Sequence, residues 1–127
     1  MSKTILVIED NPKHSILFED LLRGQGYEVI TAKNGEEVQQ RMNESFEENK
    51  PFDLLLVDIS VPQFDAIEFI KGKKDHYQIL VVSAYADRED VKELLPENRR
   101  IKKPFDINLF RNRVKEILDQ QDGEKAK

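Results

Sequence analysis

The chain has 127 residues, 39% hydrophobic and 35% charged, with a formal net charge of −5, a length that suits one domain with its own core. It holds no cysteine, which excludes disulfides, zinc–thiolate centres and cysteine nucleophiles, and its acidic balance argues against direct nucleic-acid binding. No apolar run approaches the roughly 18 residues that span a bilayer, and the first one, Ile5–Ile8, ends in acids unlike a signal peptide, so the chain reads as cytosolic.

The run Thr4–Ile8 (TILVI) is continuously apolar, the pattern of a strand covered on both faces. Asn11 then caps a helix opened by Pro12. Ile16, Leu17, Leu21 and Leu22 recur at helical spacing until Gly24 and Gly26 stop it. A second strand is predicted at Tyr27–Ile30, and Asn34–Gly35 turns the chain into a helix over Glu36 to Glu48. Leu54–Val57 (LLLV) and Ile79–Val82 (ILVV) are two more continuous runs, separated by a short helix over Ala66–Lys73. Asp87 is placed to cap a fourth helix that Pro96 ends after Leu95. Arg99–Lys102, with only Ile101 apolar, is a weak fifth strand suited to a sheet edge. Asp106 caps the last helix, whose apolar stripe is Ile107, Phe110, Val114 and Ile117. Residues 1–119 thus form the domain, and 120–127 a polar C-terminal tail. Alternating strands and helices predict an α/β fold, a parallel sheet with helices on both faces.

The charge is uneven: residues 1–63 hold 6 basic and 12 acidic side chains, residues 64–127 hold 14 and 13. Open parallel sheets bind ligands beyond the carboxyl ends of their strands. There the first strand runs into Glu9–Asp10, the third into Asp58, the fourth into Ser83 and the fifth into Lys103. Two carboxylates about 5 Å apart repel by roughly 3 kcal/mol at an effective dielectric of about 20, so three on one rim call for a cation. An all-oxygen set suits Mg²⁺. On this reading Asp58→Asn, which removes repulsion, stabilises the metal-free chain. Lys103 and Ser83 suit phosphoryl oxygens, and the whole set fits a carboxylate that attacks phosphorus.

The segments ILVIEDNP, LLLVDISVP, VVSAYA and IKKPF carry a family likeness. Over residues 3–119 the chain resembles the response-regulator receiver domain of two-component signalling. The resemblance implies a doubly wound, flavodoxin-like sheet of five parallel strands in the order 2-1-3-4-5. It implies Asp58 as the phosphoacceptor, Asp10 as a direct Mg²⁺ ligand, Glu9 as a ligand largely through water, and the backbone carbonyl of Ser60 as a further ligand. Ser83 and Lys103 would hold the phosphoryl group, and the Lys103–Pro104 peptide would be cis. The donor would be a histidine kinase or histidine phosphotransfer protein. The domain would be a switch and not an enzyme, assisting only its own phosphorylation and dephosphorylation. Its output would be phosphate relay, or binding to a separate protein through the face of the fourth helix, fifth strand and fifth helix, and the chain would be a monomer or a weak homodimer through that face. Few residues follow Asp119, so the chain reads as a stand-alone receiver or as one cut from a longer regulator.

Several positions depart from the family pattern. Ala66 stands where a glycine is common, and Val61 where methionine is frequent. Arg100 occupies the place of the switch aromatic, and an arginine there needs a partner for its charge; Tyr85 is the alternative route for coupling. The second helix is about five residues longer than usual and the third correspondingly shorter. His14 and His76 read as surface residues, and Arg99, Arg100, Lys102, Arg111 and Arg113 as a basic face open to a partner. A degenerate receiver acting as a binding module is disfavoured by the intact acids. A haloacid-dehalogenase-like phosphatase would need a second Asp where Asp58-Ile59-Ser60 has serine. A flavin module would not place Glu9 and Asp10 in its phosphate loop.

Overall fold

Five strands and five helices alternate in the structure, a computed structural model that describes the backbone of residues 2–126 and the side chains of residues 2–120. The strands are β1 (Thr4–Ile8), β2 (Glu28–Ala32), β3 (Leu54–Val57), β4 (Ile79–Ser83) and β5 (Arg100–Lys102). They form one parallel sheet in the order β2-β1-β3-β4-β5. The helices are α1 (Pro12–Gly24), α2 (Gly35–Glu47), α3 (Ala66–Lys73), α4 (Glu89–Leu94) and α5 (Ile107–Ala126). This is the doubly wound, flavodoxin-like sheet expected from the sequence.

The continuous apolar strands split their side chains between two cores, because neighbours on a strand point to opposite faces. Ile5, Val7, Leu54, Leu56, Leu80 and Val82 pack with Phe18 and Leu22 of α1 and with Phe110, Val114 and Ile117 of α5. Leu6, Ile8, Leu55, Val57, Ile79 and Val81 pack on the other face with Val38 of α2, Ile70 of α3 and Val91 of α4. Both faces of β1, β3 and β4 are therefore dry. Among the described residues no helix is long and apolar enough to cross a membrane.

Three boundaries differ from the sequence reading. Strand β2 lies one to two residues later, at Glu28–Ala32, with exposed Glu28 and Ile30 alternating with buried Val29 and Ala32. Helix α4 is capped by Arg88 without a side-chain bond, whereas Asp87 turns away to Arg100 and Lys102. Helix α5 continues through the expected polar tail to Ala126; that stretch has no proline, and Gly123 is its one weak helix former. Lys127 and Met1 lie outside the described residues. The Lys103–Pro104 peptide is cis.

The turn into α2 fixes the loop that follows β3. Gly35 donates its N–H to the Pro62 carbonyl at 3.3 Å. A Cβ on Gly35 would lie 1.8 Å from the Gln63 carbonyl oxygen, and Gln63 itself has a positive φ of 55°. Alanine is worth up to about 1 kcal/mol over glycine in a helix, but here overpacking dominates. Gly35→Ala is expected to lower stability by about 2 kcal/mol in urea denaturation. At Gly72 in α3 a Cβ meets nothing within 4 Å, so Gly72→Ala is expected to raise stability by about 0.5 to 1 kcal/mol. Equal effects at the two positions would overturn this reading of the α2 turn.

Candidate functional site

Strand order reverses between β2 and β3 on either side of β1, and the crevice at that point is where the candidate residues meet. The sheet ladder continues just past the strands to hold them. Glu9 N–H donates to Ala32 O at 3.0 Å, Asp58 N–H to Ile8 O at 3.0 Å, and Lys103 N–H to Ser83 O at 3.1 Å. Each functional side chain thus leaves a backbone position set by its neighbouring strand.

Carboxylate oxygens of Glu9, Asp10 and Asp58 all lie within 4.8 Å of one another. Glu9 is 2% exposed and Asp58 4% exposed, while Asp10 faces solvent. The Lys103 ammonium donates to Asp58 Oδ2 at 2.9 Å and to Glu9 Oε1. Its nitrogen sits 5.7 Å from the centre of the Phe18 ring, which is stacked on Phe105. Ser60 donates both its amide, at 3.0 Å, and its hydroxyl, at 2.9 Å, to Asp58 Oδ1. Ser83 is fully buried and its hydroxyl accepts the Tyr85 N–H at 3.2 Å.

The two buried acids respond in opposite directions. Burial alone pushes the Asp58 carboxyl up, but hydrogen bonds from Lys103, the Ser60 amide and the Ser83 hydroxyl outweigh it and hold it below the ordinary value. Burial also pushes Glu9 up. There the Lys103 bond only partly offsets it, the Asp58 charge adds to the rise, and the carboxyl stays above its ordinary value. The strain that the sequence reading places on Asp58 is therefore carried by Glu9. The donors around Asp58 favour its charged form.

The donor set fits a hard divalent cation: three carboxylates converge, all ligating atoms are oxygen, and Asp10 opens the cluster to water. The site brings together every side chain read from the strand ends: Glu9, Asp10, Asp58, Ser83 and Lys103. Ser60 joins them through its amide and hydroxyl. His14 is partly exposed, in line with the surface position expected of it, and its Nδ1 is 2.8 Å from Lys103 Nζ. Its place in the first turn after β1, four residues beyond Asp10, is the signal that points it to this rim. Arg100 does find partners: its side chain is 12% exposed and donates to the Leu95 and Ala86 carbonyls at 3.1 and 3.4 Å, with Asp87 at 3.5 Å. Tyr85 is 52% exposed and does not fill the interior in its stead.

Comparison with known proteins agrees with this geometry. The family model of the response regulator receiver domain matches residues 5–115. The polar-differentiation response regulator DivK of Brucella anthropi is 31% identical, over 93% of this chain and 98% of its own length. DivK of Brucella ovis is 30% identical over the same shares. Among solved structures, a CheY-like receiver domain protein from Methanospirillum hungatei superposes with a TM-score of 0.80 at 27% identity, over 98% of this chain and 99% of its own. The receiver domain of PhyR from Erythrobacter litoralis gives 0.71 at 30% identity, over 92% and 90%.

The opposite shifts of the two acids have opposite consequences for stability. Folding raises Glu9, so the folded chain holds that proton more tightly than the unfolded one. Stability falls as pH rises from the ordinary glutamate value through the raised one. Glu9→Gln removes that loss and is expected to raise the urea midpoint at neutral pH in EDTA. The gain disappears in acid, where the wild-type carboxyl is protonated in both states. For Asp58 the carboxyl is lowered by folding, so its contribution is present at neutral pH and lost as pH falls through the lowered value. Asp58→Asn is expected to lower the neutral midpoint. A midpoint for Glu9→Gln at or below wild type at neutral pH would contradict the assignment.

Proposed function

The chain belongs to the response regulator receiver family, and we propose that it is a switch turned on by phosphorylation of Asp58. The observation that carries this reading is the ammonium of Lys103 on a buried, ionised Asp58 within a cluster of three carboxylates. A carboxylate held ionised by its donors is a nucleophile at neutral pH.

The donor is a histidine kinase or histidine phosphotransfer protein. Asp58 attacks the phosphorus of a phosphohistidine; the P–O bond forms as the P–N bond breaks, and the freed imidazole nitrogen takes up a proton. Lys103 and Ser83 hold the phosphoryl oxygens. Glu9, Asp10, Asp58 and the Ser60 carbonyl are the residues that would hold Mg²⁺. When bound, the ion offsets the negative charge on the phosphoryl oxygens. An apolar cleft formed by Leu17, Phe18, Phe105 and Ile107 shares Lys103 and His14 with the acidic site, and exposed Leu17 and Ile107 give a docking protein apolar surface beside Asp58.

The domain assists its own phosphorylation and hydrolysis and has no other substrate. The added charge shifts the balance between two arrangements of the face formed by α4, β5 and α5, which binds an output protein or a second copy. Arg100 lies under that face. Its bonds join the loop before α4, at Ala86 and Asp87, to the end of the helix at Leu95.

Incubation with Mg²⁺ and acetyl phosphate is expected to add the mass of one phosphoryl group by intact mass spectrometry. Asp58→Asn is expected to add none, and EDTA to abolish the gain in the wild type. An unlabelled wild type, or equal labelling of Asp58→Asn, would sink the phosphoacceptor assignment.

A further inference from the structure

Lys103 carries three N–H donors and no lone pair. Around its nitrogen the structure places three acceptors: Glu9 Oε1, Asp58 Oδ2 at 2.9 Å and His14 Nδ1 at 2.8 Å. Because an ammonium can only donate, His14 Nδ1 must present its lone pair, and the ring proton sits on Nε2. The other arrangement would have Nδ1–H donate to Glu9 Oε1, but that separation is 3.7 Å, too long for a hydrogen bond.

The ring is held for this contact by the start of α1. His14 is the third residue of the helix, and its backbone N–H donates to the capping Asn11 Oδ1 at 3.3 Å. Its side chain is 44% exposed, so filling the core is not what places it there. The ring stands between the acidic cluster and the apolar cleft, lining both.

We propose that His14 is a positioning residue for Lys103, holding the ammonium beside Asp58 when the two carboxylates are engaged elsewhere. The inference rests on the phosphoacceptor reading of the site. A lysine stem has four rotatable bonds and is the most mobile of the functional side chains. Two of its three anchors, Glu9 and Asp58, belong to the acid cluster that suits a cation, and Asp58 is also the nucleophile. Once those oxygens serve the cation and the phosphoryl group, His14 is the anchor left to the ammonium, whose nitrogen also lies 5.7 Å from the centre of the Phe18 ring. The third N–H of Lys103 is thereby occupied, and the other two are free to meet phosphoryl oxygens.

The test compares His14→Leu, which keeps bulk without an acceptor, with His14→Asn, whose Oδ1 stands close to the position of Nδ1. The first measurement is the ¹⁵N signal of the Lys103 ammonium in protein with Mg²⁺, assigned by its loss in Lys103→Arg. An anchored ammonium exchanges slowly enough with water to be seen. The signal is expected in wild type and His14→Asn and is expected to vanish in His14→Leu. The second measurement is the rate of phosphorylation by acetyl phosphate. His14→Leu is expected to be about tenfold slower, the scale of one charge-assisted hydrogen bond, and His14→Asn within about twofold of wild type. An ammonium signal unchanged in His14→Leu, an unchanged rate, or equal slowing in both variants overturns the proposal. A wild type that accepts no phosphoryl group overturns the phosphoacceptor reading instead, while the ammonium signal still decides whether His14 holds Lys103.

Discussion

The ammonium of Lys103 between Glu9 and Asp58 is the contact on which the site depends. Two carboxylates buried side by side repel and are each poorly solvated, so the fold must supply an opposite charge at hydrogen-bond distance. That charge comes from the far side of the sheet. Lys103 follows β5, a three-residue edge strand, and is delivered across β4 and β3 to the end of β1. Such a short strand cannot place a side chain by its ladder alone. Ile101 is buried in the core between the sheet and the α1–α5 pair, and the rings of Phe18, Phe105 and Phe110 pack with centroids 5.2 to 5.6 Å apart just below the ammonium. The aromatic cluster is thus the mechanical support of an electrostatic site.

Much of this was legible in the sequence because the fold exposes its strand ends by rule. Continuous apolar runs mark β1, β3 and β4, and whatever follows such a run faces the crevice. Glu9, Asp10, Asp58, Ser83 and Lys103 could therefore be read without knowing any contact. What could not be read depends on how a helix is rotated or on partners that have no sequence label. The place of His14 in the first turn of α1 points it to the rim, but its contact with Lys103, 89 positions away, depends on the angle of α1 about its axis. Arg100 is satisfied mainly by the carbonyls of Leu95 and Ala86, and a backbone carbonyl is the same at every residue. Asp87 looked like a helix cap by local rule. It became the partner of Arg100 and Lys102 because a nearby cation outbids an end-of-helix amide for a carboxylate.

The Arg100 contacts give α4 a particular character. It has six residues, its N-cap makes no side-chain bond, and Val91 is its one fully buried residue. Little intrinsic stability is expected of a helix so short. Arg100 donates to carbonyls on both sides of it, and the guanidinium replaces by hydrogen bonding what a larger apolar face would supply by packing. An aromatic ring at this position would respond to space, moving when a cavity opens or closes. A guanidinium responds to the positions of its acceptors, and here those acceptors lie both in the Ala86–Asp87 loop and at Leu95. In the proposed switch, coupling between the site and α4 is therefore polar and geometric.

The opposite shifts of Glu9 and Asp58 follow from unequal surroundings of two buried acids. Asp58 owes its ionised state to donors of the protein itself: the Lys103 ammonium, the Ser60 amide and the Ser83 hydroxyl. Among the described residues Glu9 accepts from Lys103 and from the Asn11 amide, at 3.2 Å, with His14 Nδ1 at 3.7 Å, and it lies close to a second negative charge. The less compensated charge of the pair is therefore at Glu9. In the proposed switch, the carboxylate that receives the phosphoryl group is the one with its own donors, and the less compensated one stands beside it. That asymmetry follows from burial and donor count alone.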